Sequence, residues 1–243
     1  MAKKFLLVTL LSLFLVVSAF SITYVVGTEA SFPPFEYVEK GEFLGFDIEL
    51  IKEIGKIKGF DVEIRDMSFD SLIPALISGN IDIVVAGMTI TEERARMVDF
   101  TVPYFSANQS VLVRKDSGFN ITVLFGKNKI GVQTGTTGDL WVTENLVDKG
   151  FLSKNNIVRY DTFNFAVRDL INKNIDAIVL DNPVAERFTK TDPVEIVGII
   201  ITNENYGIAV KKDRKDLLNT LNEGILELQK NGKIDELVIK YFQ

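Results

Sequence analysis

The 243-residue chain is 47% apolar and 25% charged, an ordinary globular composition that can bury several apolar clusters without staples. It holds neither cysteine nor histidine, which excludes disulfides, Cys-ligated zinc, thiol catalysis and histidine-based hydrolysis. The formal charge of −6 has the wrong sign for a nucleic-acid or anionic-membrane surface, so no nucleic-acid partner is expected.

Residues 1–21 differ from everything after them. Lys3 and Lys4 precede an apolar run over residues 5–17, broken only by Thr9 and Ser12, and small residues stand at Ala19 and Ser21. The run is shorter than the roughly 20 residues a bilayer span needs, so a cleaved signal peptide is expected, not an anchor. Without cysteine there is no site for a lipid. Loss of Lys3 and Lys4 leaves 25 basic against 33 acidic residues, a net −8, in a protein expected in the periplasm or extracytoplasmic space.

The mature chain alternates strand and helix patterns. A β-branched run over residues 22–27 ends at Gly27. Apolar residues at near-helical spacing predict a helix over 47–57, then a strand over 61–64 and a second helix over 69–78 that stops at Gly79-Asn80. Residues 81–86 read as a buried parallel strand. The alternation recurs with strands at 129–132, 157–160 and 175–180 and helices at 139–147, 164–172 and 183–189. Amphipathic helices follow through Leu217, Leu221, Ile225 and Leu228, and through Ile234, Leu237, Val238, Tyr241 and Phe242. Two such blocks imply two α/β lobes with parallel-rich sheets and helices on both faces. Extended segments at 109–114 and 206–210 cross between them. The expected division is residues 22–106 with 205–243 in one lobe and 107–204 in the other.

Four constellations carry chemistry. Residues 86–94 run from a buried strand through a loop to Thr91, an N-cap with Glu92 and Glu93 in the first turn, so Arg94 lies beyond a strand C-terminus, where open sheets bind ligands. It can clamp a carboxylate through two hydrogen bonds, or pair at the surface with Glu93 or Asp99. Residues 133–139, QTGTTGD, form either an anion-binding helix start or an ordinary polar turn, and lack the Lys-Ser/Thr ending of a P-loop. Asp181, after the buried run AIVL, suits an ammonium group or caps the helix that starts at Pro183. Glu29 to Phe35 contains two prolines that fix an extended loop holding Phe32, and Phe69 opens a neighbouring helix; both rings either face a cleft or belong to the core. Together these groups complement a zwitterion.

The stretches at residues 32–50 (FPPFEYVEKGEFLGFDIEL), 71–94, 131–140, 175–181 and 206–212 resemble the periplasmic polar amino-acid binding proteins of bacterial ABC importers, and the resemblance spans the mature chain. It implies a type II periplasmic-binding-protein fold with two extended hinge crossovers. It further implies that Arg94 clamps the ligand α-carboxylate with Thr89 and the Thr137 backbone, while Asp181 and the Gly87 carbonyl take the α-ammonium. Phe32 and Phe69 would sandwich the side chain, and Glu29 and Gln133 would read its end. Glu29 and Gln133 resemble the residues of family members that bind basic amino acids, which implies arginine first, with glutamine the alternative.

The expected mechanism is hinge closure near residues 105–109 and 203–206, in a monomer that needs no metal or cofactor and delivers its free L-amino acid to an importer permease. Two other classes share the architecture. A dehydratase acting on aromatic-amino-acid precursors would rely on Glu29, Asp181 or a lysine. A sensory module would need a separate receptor partner, since no apolar span follows Phe242.

Overall fold

The computed structural model describes residues 21–243, so the leader expected over residues 1–21 lies outside the described part apart from Ser21. Strand β1 (Ile22–Thr28) delivers the chain to a small antiparallel meander of β2 (Ser31–Phe32), β3 (Glu36–Glu39) and β4 (Glu42–Leu44). Of this region only residues 29–35 are expected from the sequence to form an extended loop, which holds β2; strands of two to four residues are too short to show alternation. Lys40 and Gly41, both at positive φ, close the β3–β4 hairpin in the two-residue manner that suits strand twist.

Helix α1 (Phe46–Lys58) buries Ile48, Leu50, Ile51 and Ile54 and ends on left-handed Gly59. β5 (Phe60–Asp66) pairs in parallel with β1, and α2 (Phe69–Ser78) has the predicted limits, ending at left-handed Gly79. The strand expected over 81–86 shortens to β6 (Ile83–Val84). Asp82 takes the Val25 N–H at 2.9 Å, and the turn after Ala86 sends the Gly87 N–H to Asp47 Oδ2 at 2.7 Å, so the ladder ends early on both sides. Helix α3 (Glu92–Met97) is capped by the Thr91 hydroxyl as expected and leads to β7 (Asp99–Phe100).

β8 (Phe105–Arg114) crosses to the second sheet, which continues with β9 (Ile130–Gln133), α4 (Thr137–Val142), β10 (Ile157–Tyr160), α5 (Phe163–Ile171), β11 (Ala177–Asp181) and α6 (Asn182–Thr191). The helix expected over 139–147 starts two residues earlier, where Thr136 caps it, and finishes as a π turn over Thr143–Val147. β12 (Val194–Tyr206) returns along β8; its β-branched run has the composition of a strand, although no strand is assigned to it from the sequence. The segment expected to cross at 206–210 is divided: β12 ends at Tyr206, and β13 (Ala209–Val210) belongs to the first sheet. Helices α7 (Lys215–Lys230) and α8 (Lys233–Phe242) complete the chain and pack on α1, where Gly224 leaves room for Ile54.

The first sheet has the order β5-β1-β6-β13-β7 and the second β10-β9-β11-β8-β12. In each, three parallel strands carry one antiparallel strand (β13 or β8), on which an outer strand (β7 or β12) pairs antiparallel in turn. The sheets are joined by the β8–β12 ribbon. An aromatic cluster of Phe35, Phe46, Tyr104, Phe105, Tyr206 and Phe242, with neighbouring centroids as close as 4.9 Å, fixes the base of that ribbon against α1 and α8. Phe35, Phe46, Tyr104 and Tyr206 are buried and each contributes about 1.5–3 kcal/mol, so this end of the ribbon is anchored firmly. Among the described residues no helix is long and apolar enough to cross a membrane.

Candidate functional site

The C-terminal ends of β1, β6, β9 and β11 meet around a small, tightly lined cavity. Glu29, Phe32, Phe69, Gly87, Thr89, Arg94, Gln133, Thr137 and Asp181 all line it, so every site residue expected from the sequence is brought to one place. Glu36, Ala86 and Thr136 line it too and were missed. Glu36 lies within the FPPFEY stretch, directly after the prolines and aromatics, and a lone carboxylate in such a loop carries no local signal of burial.

Arg94 is buried and pairs with neither Glu93 nor Asp99; Asp99 is taken by Lys215. Its guanidinium donates to the Thr89 carbonyl at 2.8 Å and to the Gly135 carbonyl at 3.0 Å, and lies 5.2 Å from the Phe69 ring centroid. The Thr89 contact orients it from the first sheet's side, the Gly135 contact from the second's. Desolvation lowers its pKa, opposed by the charges of Glu204 and Asp181.

Asp181 stands at the N-cap of α6 but makes no capping bond. Its Oδ1 instead accepts from Tyr206 Oη at 2.8 Å and Gln109 Nε2 at 3.0 Å. Burial and then the nearby Glu204 charge push its carboxyl up to about 8, so an incoming cation would restore a charge that the site otherwise suppresses. Glu29 is similarly raised, by burial first, against hydrogen bonds from Ser31 and Gln133. Gln133 Nε2 donates to Glu29 Oε2 at 3.1 Å and to the Asp161 carbonyl at 2.9 Å, tying the two halves together at this point. Glu36 is fully buried with neither oxygen meeting a donor among the described residues, and burial plus the charges of Asp47 and Glu29 hold it well above the usual carboxylate range. Asp47 beside it, accepting from Gly87 N–H and Tyr104 Oη, is raised to about 6, again chiefly by burial.

Gly87 has φ 53, and a Cβ there would lie 2.7 Å from Phe32 Cε1, so both backbone conformation and space demand glycine. Phe32 stacks on Phe35 and tilts against Phe163 across the halves at 5.9 Å. The Thr89 hydroxyl donates to Glu204 Oε2 at 2.6 Å, as does that of Thr137. The Thr137 backbone N–H, first in α4, has no acceptor among the described residues.

Two α/β halves sharing a pair of crossover strands around one charged cavity constitute the type II periplasmic-binding-protein fold. The chain belongs to the bacterial extracellular solute-binding proteins, family 3, which it matches over residues 24–243. It is 35% identical to a probable histidine-binding protein of Neisseria gonorrhoeae over 225 residues, covering 90% of this chain and 82% of that one. An ancestral arginine-binding protein solved with arginine is 43% identical, with a TM-score of 0.84 and coverage of 91% of this chain and 98% of the other. One solved with glutamine is also 43% identical, with a TM-score of 0.83 and coverage of 90% and 97%.

Proposed function

We propose that this protein binds one free basic amino acid, arginine first, between its lobes and hands it to the membrane permease of an ABC importer. The observation that carries this reading is the charge inventory of the cavity: one guanidinium, Arg94, against the carboxyls of Glu29, Glu36 and Asp181. A basic amino acid presents one carboxylate to Arg94 and two cations to these carboxyls, whereas a neutral amino acid brings them only its ammonium. In the proposed pose Arg94 and the Thr137 N–H hold the α-carboxylate, Asp181 and the Gly87 carbonyl hold the α-ammonium, and Glu29 and Glu36 face the side-chain cation. Phe32 and Phe69 flank its aliphatic stem.

The lobes are residues 22–106 with 205–243, and residues 107–204, closing on the β8–β12 ribbon. Contacts of Arg94 with Gly135 and of Glu29 with Gln133 already bridge them and support a closed form. Residues 1–21 direct export and are removed, and the protein works outside the cytoplasm as a monomer. It is a carrier, not an enzyme, and incubation with prephenate or arogenate is expected to yield no product. Glutamine is the second reading, favoured by the Gln133 amide beside Glu29 and by the glutamine-bound relative.

The test is calorimetric titration of residues 22–243, unfolded and refolded to strip carried-over ligand, with arginine, lysine, histidine, glutamine and glutamate. Tight one-to-one binding of arginine with weaker lysine is expected. Preference for glutamine would overturn the reading of Glu29, and silence towards all five would overturn amino-acid binding.

A further inference from the structure

Glu204 lies on β12 where the crossover ribbon is irregular. The β8–β12 register shifts between Ile200 and Glu204, Asn203 sits at φ 52, and Asn108 Oδ1 accepts the N–H groups of both Thr202 and Asn203 at 2.9 Å. This kink aims a buried carboxylate at the seam between the halves. Its two oxygens have separate partners. Oε1 accepts from Gln109 Nε2 at 2.8 Å and Thr202 Oγ1 at 2.9 Å, both on the ribbon itself. Oε2 accepts from Thr89 Oγ1 and Thr137 Oγ1, each at 2.6 Å. Thr89 follows β6 of the first sheet and Thr137 opens α4 on the second.

We propose that Glu204 is the positioning residue of closure: an anionic acceptor on the hinge that takes one threonine hydroxyl from each lobe and so has its full donor set only when the lobes are shut. The Oε1 bonds come from the ribbon and persist in any lobe arrangement, whereas the Oε2 pair requires both lobes at once. A carboxylate has no proton to donate, so both hydroxyls must point at it, and each is a short charge-assisted bond in a low-dielectric seam. Thr89 and Thr137 also wall the ligand cavity, and Thr89 holds Arg94 through its carbonyl, so the same contact that shuts the lobes sets the wall and the clamp. Glu204 thereby acts through other residues and not on the ligand.

The ligand half of this proposal rests on the amino-acid-binding reading; the ligand-free half does not. The native chain has no cysteine, so Lys56→Cys and Lys149→Cys place one spin label on each lobe without interference. Pulsed electron–electron distance measurement on the ligand-free protein is expected to show a short-distance population that Glu204→Ala depletes and that isosteric Glu204→Gln reduces less. With arginine, Glu204→Ala is expected to raise the dissociation rate about tenfold or more, the size of one charged hydrogen bond, with the association rate little changed. Thr89→Val and Thr137→Val are each expected to raise it too, and both effects are expected to vanish in the Glu204→Ala background. A merely structural residue would not erase the effects of two threonines that sit on different lobes. Identical ligand-free distance distributions for parent, Glu204→Ala and Glu204→Gln, or threonine effects that persist without Glu204, overturn the proposal. If no amino acid binds, the function reading fails, and the ligand-free distances still decide the role of Glu204.

Discussion

Truncation of Arg94 tests the clamp. The guanidinium is buried, held by the Thr89 and Gly135 carbonyls and the face of Phe69, and no carboxylate among the described residues forms an ion pair with it. A cation that gives up water to meet only carbonyl dipoles and a ring still has binding capacity for an anion. Removing it leaves the ligand carboxylate desolvated and unpaired, a loss of about 2–5 kcal/mol for a buried hydrogen-bonded charge pair, or roughly 30-fold to several thousand-fold in affinity. Stability should change far less, because the lost hydrogen bonds to two carbonyls are offset by relief of the buried charge. Calorimetric titration of refolded Arg94→Ala with arginine, alongside thermal unfolding of the ligand-free protein, reads both. Arg94→Lys, which keeps the charge but not the fork, is expected to fall between. Affinity of Arg94→Ala within threefold of the parent, with the fold intact, would refute the reasoning.

Glu29→Gln is expected to weaken arginine at least tenfold while sparing glutamine, narrowing or reversing the preference; competition between labelled arginine and glutamine measures it. Asp181→Asn keeps acceptors for Tyr206 and Gln109 but no charge for an ammonium, so binding of every α-amino acid should drop by about 10² or more, while carboxylic acids lacking the amine change little. Glu36→Gln addresses pH. The folded carboxyl keeps its proton where the unfolded chain has lost it, so the folded state binds more protons and stability falls as pH rises above about 4.3. Melting curves without ligand should therefore show Glu36→Gln more stable than the parent at pH 8 and close to it at pH 4; a parallel offset at both pH values would contradict a protonated Glu36.

The parts of this molecule that were legible in the sequence are those where local chemistry and tertiary role agree. Helix α2 was read to the residue because its apolar spacing and its Gly79 stop both survive in the fold. Arg94, Asp181 and the QTGTTG turn could be singled out because they follow buried strands, whose C-termini converge on one cavity in this fold. Glu204 was invisible for the opposite reason. It sits in a polar stretch between an apolar run without alternation and the next strand, and its donors come from residues 89, 109, 137 and 202, a set that no local pattern links. The meander from Ser31 to Leu44 escaped because its strands of two to four residues are too short to show alternation, and β6 was overextended because the largely apolar run over residues 81–86 outlasts the two-residue ladder.

The most direct measurement is a crystal structure of the refolded mature protein grown with arginine. The expected result is one arginine in the cavity, its carboxylate on Arg94, its ammonium on Asp181 and its guanidinium towards Glu29 and Glu36. An empty cavity at saturating arginine, or arginine bound elsewhere on the surface, would contradict the claim that these residues form an amino-acid site.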